Sequence, residues 1–117
     1  MLFDSGSADL KPQGKKELDK FVETFLSLRD QIPSDLNVNI QIQGHTDTDP
    51  TVSSRWSSNW ELSTARATRV VGYLAVRGIP ESLLSAAGFS QYDPLVRDDT
   101  VAAKAQNRRI EIVITQR

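Results

Sequence analysis

The chain has 117 residues, 38% hydrophobic and 25% charged, with one histidine and no cysteine. This composition suits one folded domain, residues 1–117, with a real core, and it excludes disulfides, thiolate metal sites and cysteine nucleophiles. A net charge of −1 argues against sequence-independent nucleic-acid binding, and no run of about 18 apolar residues is present to span a bilayer.

Met1-Leu2-Phe3-Asp4 already reads as folded sequence with no signal peptide, as expected for an excised domain whose targeting segment was left off. Leu2-Phe3 predicts a short first strand, and Asp4 to Asp9 a polar turn. Pro12 suits the first position of a helix. That helix repeats Leu18, Phe21, Val22, Phe25, Leu26 and Ile32 at spacings of three and four and stops before Pro33. Leu36 to Gln43 then alternates apolar and polar residues, the period of a strand with one buried face. At Gly44 the alternation ends in the polar corner His45-Thr46-Asp47-Thr48-Asp49-Pro50, and a long polar stretch follows to Ser57.

Ser58-Asn59-Trp60-Glu61 is a capping box opening a second helix, which runs to about Arg77 with Gly78 as its stop. Ile79 to Leu84 predicts a helical turn, Ser85 to Phe89 a short strand, Thr100 to Gln106 a weak helical turn, and Ile110 to Ile114 the last strand. The order β-α-β-α-β-β predicts an α/β (α+β) two-layer sandwich, a small mixed sheet with helices packed on it.

The second helix carries an anomaly. Counted at 100° per residue from Leu62, Ala65, Val70, Tyr73 and Val76 form the arc facing the core, and Arg66 and Arg69 fall inside it. A guanidinium there either reaches solvent along its apolar stem, or is paired, or lines a cleft. Asp47 is the obvious partner, because the first turn of a helix following a strand returns near the strand's C-terminal end. The two can pair with each other, or grip a zwitterion between them, Asp47 on an ammonium and Arg66 on a carboxylate. Arg108 shares the parity of Ile110, Ile112 and Ile114 and points inward at the strand's mouth, toward Asp4, Asp47 or a ligand carboxylate.

His45, Asp47 and Asp49 alternate, but no second His or Cys completes a metal set. The plain expectation is that His45 hydrogen-bonds its neighbouring loops. Ser53 and Ser54 follow without an elbow or triad pattern. The glycines form neither a dinucleotide fingerprint nor a phosphate cradle. Trp56 and Trp60 beside a polar cleft suit the core, or sugar or partner contacts.

Taken together, Phe3-Asp4-Ser5 with Ala8-Asp9-Leu10, Gly44-His45-Thr46-Asp47, Asn59-x-x-Leu62-Ser63-x-x-Arg66-Ala67, Gly88-Phe89 and Asn107-Arg108-Arg109-Ile110-Glu111-Ile112 resemble the OmpA-like peptidoglycan-binding domain, in order and over nearly the whole chain. Ser58 to Ser63 and the Asp49-Pro50 region are similar to its flagellar-stator (MotB) subgroup. The resemblance implies a periplasmic module, tethered to the inner or outer membrane through other segments. It would bind peptidoglycan non-covalently through the diaminopimelate of the stem peptide. By motif position, Asp47 would take the diaminopimelate ammonium and Arg66 its carboxylate. Asn59, Leu62, Thr48 and the Phe3-Asp4-Ser5 loop would line the groove, with Arg108 nearby. The stretch from Asp49 to Ser57 departs from the family, being longer than its usual Gly-containing loop.

The reading is a non-enzymatic anchor without metal or other cofactor. A motor stator working as a dimer is the first candidate for its parent. A type VI secretion anchor and an outer-membrane protein or lipoprotein are the alternatives. The rivals from other classes are a wall hydrolase using His45 with Asp47 or Asp49, and a protein-interaction module without wall affinity.

Overall fold

A computed structural model of the chain describes residues 2–4, 6–33, 36–49 and 56–116. The helices are α1 (Pro12–Leu28), α2 (Asn59–Val76) and α3 (Val101–Asn107); the strands are β1 (Val38–Gly44), β2 (Leu84–Gly88) and β3 (Ile110–Gln116). Short 3-10 turns cover Arg29–Gln31 and Glu81–Leu83. The sheet order is β2-β1-β3, with β1 parallel to β2 and antiparallel to β3. A small mixed sheet with three helices packed on it is the α+β architecture the sequence predicts. Among the described residues, no helix is long and apolar enough to cross a membrane.

β1 is the central strand because its alternation supplies one apolar face. Val38, Ile40 and Ile42 are buried with Leu18, Val22 and Phe25 of α1 and Ala67, Val70 and Leu74 of α2 in a single core. Each such side chain removed from water contributes on the order of 1.5–3 kcal/mol. The opposite face of β1 is polar and half-exposed, with Gln43 Nε2 donating to Gln41 Oε1 at 2.7 Å and Ser85 Oγ to Asn39 Oδ1 at 3.2 Å.

Leu2-Phe3 is not a strand. Phe3 is buried in the core, but the segment bends away at a turn in which the Ser7 N–H donates to the Asp4 carbonyl at 3.1 Å, with Gly6 at φ +70°. Its apolar residues reflect packing under the helices rather than sheet pairing. Leu26 also leaves its expected face and is exposed.

In α2 the Ser58 hydroxyl accepts from the Glu61 N–H at 3.4 Å, half of the expected capping box; the Glu61 carboxylate accepts from the Ser57 hydroxyl instead. Gly78, at φ +113°, ends the helix as expected. The buried face is rotated from the predicted arc. It holds Leu62, Ser63, Arg66, Ala67, Val70 and Leu74, whereas Val76 is 85% exposed and Arg69 faces solvent. The cause is close approach. Gly44 and Gly88 are register partners on β1 and β2, and a Cβ on Gly44 would run into the Ser63 carbonyl. A Cβ on Gly88 would come within 2.7 Å of Ser63 Oγ. Small residues on the helix meet glycines on the strands, so the contact stripe is not the most hydrophobic one.

Candidate ligand site at the end of the central strand

Beyond Gly44 the chain is held from both sides. The His45 N–H donates to the Arg109 carbonyl at 3.0 Å and the Thr46 N–H to the Ser90 carbonyl at 2.9 Å. Ser90 is buried at φ +55°, its N–H donating to Ser63 Oγ at 3.1 Å. α2 therefore locks the loop that follows β2, and that loop locks the corner.

Asp47 is 5% exposed. One carboxylate oxygen accepts from Arg108 Nη1 at 2.6 Å and the other from the Asp49 N–H at 2.9 Å. Asp47 was named as one possible partner of Arg108, and the two form a largely buried charge-assisted pair. Asn59, the first residue of α2, is buried with its amide nitrogen near the Asp47 carbonyl (3.4 Å), the Asp49 carbonyl (3.0 Å) and Gln91 Oε1 (3.1 Å). Asn59 Oδ1 is buried and accepts no hydrogen bond. An unmatched acceptor beside a carboxylate suits a cationic donor.

Arg66 is the largest fully buried side chain, at 1% exposure. Nε donates to the Ser7 carbonyl at 2.8 Å, Nη2 to the Asp4 carbonyl at 2.9 Å and Nη1 to the His45 carbonyl at 3.5 Å. The guanidinium carbon lies 5.3 Å from the centroid of the Phe3 ring. Burial pulls its pKa down to about 10; the Asp47 charge opposes this and the Arg108 charge adds to it. It remains a cation at neutral pH, and its hydrogen bonds all end on neutral carbonyls. A direct Asp47–Arg66 pair is not formed, because Asp47 is committed to Arg108 and the N-terminal segment covers Arg66.

The remaining expected residues divide. Phe3 lies under the guanidinium, while Asp4 contributes its carbonyl there and turns its exposed carboxylate to Lys11 at 3.2 Å. Leu62 is wholly buried as part of the floor. Thr48 is exposed and donates to Asp99 at 2.8 Å, and Asp49 pairs with Lys104 at 2.8 Å, together tying the corner to α3 and the turn before it. Ser5, Pro50, Ser53 and Ser54 lie outside the described residues.

His45 corrects its expectation. It stacks on Phe89, centroids 5.1 Å apart and planes 8° apart, and neither ring nitrogen has a hydrogen-bond partner. Nε2 is 3.7 Å from the Glu111 carboxylate. Burial, helped by Arg109, holds its pKa below 6.5 against the opposing pull of Glu111 and Asp93. His45, Asp47 and Asp49 meet different partners, and no group of three His, Asp or Glu placed to hold a metal occurs among the described residues.

Two residues of the quoted motifs, Asn107 and Ser63, have positioning roles that the sequence does not assign. Asn107 Oδ1 accepts from the Leu95 and Val96 N–H groups at 2.8 and 3.0 Å, bracing the loop before α3. Ser63 bridges α2 to Ser90, and only its phase beside Leu62 could have flagged it.

This arrangement belongs to a known family of envelope domains: the chain is a member of the OmpA family, which matches residues 2–108. It is 32% identical over 118 residues to Motility protein B of Bacillus subtilis strain 168, covering 100% of this chain and 42% of that protein. It spans under half the length of the first curated relatives it matches. Among solved structures, a MotB-like protein from Desulfovibrio vulgaris superposes with a TM-score of 0.83 at 31% identity, covering 99% of this chain and 68% of that one. The cell wall anchor of the type VI secretion system from Pseudomonas aeruginosa superposes at 0.79 with 29% identity, covering 98% and 74%.

Proposed function

We propose that this chain is a non-catalytic anchor module of a longer envelope protein, binding peptidoglycan non-covalently through the diaminopimelate of its stem peptide. The observation that carries this reading is Arg66, a wholly buried cation with carbonyl oxygens as its only hydrogen-bond acceptors among the described residues. A ligand carboxylate exchanged for the Asp4 and Ser7 carbonyls meets the guanidinium with a full charge and fork geometry. The ligand's ammonium is then received by Asp47 and by the unmatched Asn59 Oδ1. The free end of diaminopimelate is an amino-acid zwitterion and has one group for each. Thr48, Leu62, Arg108, Phe3 and Asp4 would frame the seat, with Ser5 proposed beside them by its motif position.

Membership of the OmpA family, and the likeness to the Pseudomonas cell wall anchor, support the wall as target. The likeness to Motility protein B supports a periplasmic domain of a membrane-tethered stator, acting as a dimer, over a secretion-system or outer-membrane parent. Against hydrolysis stands His45, the one histidine, which is buried against Phe89 rather than presented to a substrate.

The test is cosedimentation with purified wall sacculi. The parent domain pellets with them and releases no soluble muropeptides. Asp47→Asn leaves the ammonium without its countercharge, and Arg66→Lys keeps the cation but loses the fork. Truncating one partner of a buried charge pair costs about 2–5 kcal/mol, enough to abolish pelleting. Parent-like pelleting by both variants overturns the site, and released muropeptides overturn the anchor.

A further inference from the structure

Trp60 and Tyr92 take no part in the corner and stand exposed, 51% and 68%. Their ring centroids are 5.5 Å apart at 31°, so the two rings form one ledge. The ledge borders the corner through its neighbours in sequence: Asn59, beside Trp60, donates to Gln91, beside Tyr92. On its other side Trp60 walls a groove of about 1020 Å³ along the outer face of α2, with Trp56 and Tyr73 also lining it. The Trp56 indole is fixed by donation to the Gly6 carbonyl at 2.9 Å. Among the described residues the charges in the groove, Asp9 and Glu61 against Lys15 and Arg69, cancel, and the Thr64 and Thr68 side chains lie among them.

We propose that this ledge and groove bind the glycan strand of the wall, an amino-sugar chain seated with its apolar ring faces on Trp60 and its hydroxyl rim among the polar groups of the groove. A sugar ring has a C–H face that matches an aromatic plane and a polar edge that needs donors and acceptors of both kinds. A groove whose charges cancel suits a neutral polyhydroxylated ligand; a strongly acidic or basic partner would call for an excess of one sign. The inference rests on the anchoring reading, since stem peptide and glycan are covalently joined and a stem held at Asp47 brings its sugars to the neighbours of Asn59.

Isothermal titration of the parent, Trp60→Ala and Tyr92→Ala with three ligands tests it: a free diaminopimelate stem peptide, the same peptide linked to its disaccharide, and a peptide-free, uncharged oligosaccharide of N-acetylglucosamine. The parent is expected to bind the linked peptide about tenfold more tightly than the free one, the factor given by roughly 1.4 kcal/mol. Trp60→Ala erases that difference and leaves the free peptide unchanged; Tyr92→Ala reduces it. Equal affinity for linked and free peptide in the parent, or an equal loss on both in Trp60→Ala, overturns the glycan site while the anchoring reading stands. Failure of the free peptide to bind overturns the anchoring reading. The oligosaccharide then decides the ledge alone: binding lost in Trp60→Ala upholds it, and no binding to the parent overturns it.

Discussion

At the scale of single residues, Arg66 and His45, both buried beside β1, behave oppositely. Arg66 keeps its charge because each donor group has a carbonyl, whereas the His45 ring nitrogens have no hydrogen-bond partner among the described residues and burial and Arg109 disfavour the charged ring. His45 has a folded pKa below 6.5, so as pH falls the unfolded chain takes the proton first. Its contribution is therefore complete above about pH 6.5 and declines as pH drops below that value, until the folded form protonates too. Melting temperatures followed from about pH 8 to about pH 5 are expected to show this decline, and His45→Phe, which keeps the ring stack on Phe89, is expected to flatten it. An unchanged slope in the variant would assign the decline to other groups. Lys104 is shifted the other way, its ammonium held above its ordinary range by the bond to Asp49.

At the scale of elements, the meeting of α2 with β1 and β2 sets the geometry of the corner. Gly44→Ala forces the Ser63 backbone outward and is expected to lower stability by about 1–3 kcal/mol, with the Ser63–Ser90 contact loosened as well. Gly72 is the control within the same helix: nothing lies within 4 Å of its would-be Cβ. Gly72→Ala is expected to raise stability by about 0.5–1 kcal/mol. Chemical denaturation of both variants checks the pair, and a neutral Gly44→Ala would refute the close approach. This contact also explains what the sequence concealed. The presence of α2, its Ser58 cap and its Gly78 stop were legible in residue types with local preferences. Its phase was not, because hydrophobicity favoured Val76 while packing selected Ser63 and Ala67. The inward position of Arg66 was legible from its spacing to Leu62 and Val70. Its partners were not: two of the three are backbone carbonyls 59 and 62 residues away, in a segment without periodicity. The strand β1 was legible because its alternation is strict, and Leu2-Phe3 was misread because two apolar residues have no period to measure.

At the scale of the molecule, β1 is hydrogen-bonded on both sides while β2 and β3 are the sheet's edges. Amides of β1 are therefore expected to exchange slowest, at the global unfolding limit, with β2 and the outer end of β3, where Ile114 is half-exposed, opening earlier. Hydrogen exchange read by mass spectrometry checks this order, and faster exchange in β1 than in β3 would contradict the strand order.

The covering of Arg66 by the Asp4 and Ser7 carbonyls has a mechanical consequence. The antiparallel register carries Gln116 to the Val38 end of the sheet, away from the corner, whereas Phe3, Asp4 and Ser7 lie at the corner itself. Tension applied through the leading end of the chain is thus borne by the Lys11 bond to the Leu2 carbonyl and by the buried Phe3, and then by those two carbonyls. If Arg66 takes a ligand carboxylate as proposed, load and occupancy would be coupled there: a pull that peels the leading segment away would uncover the guanidinium, and a carboxylate that takes the guanidinium would let the segment go.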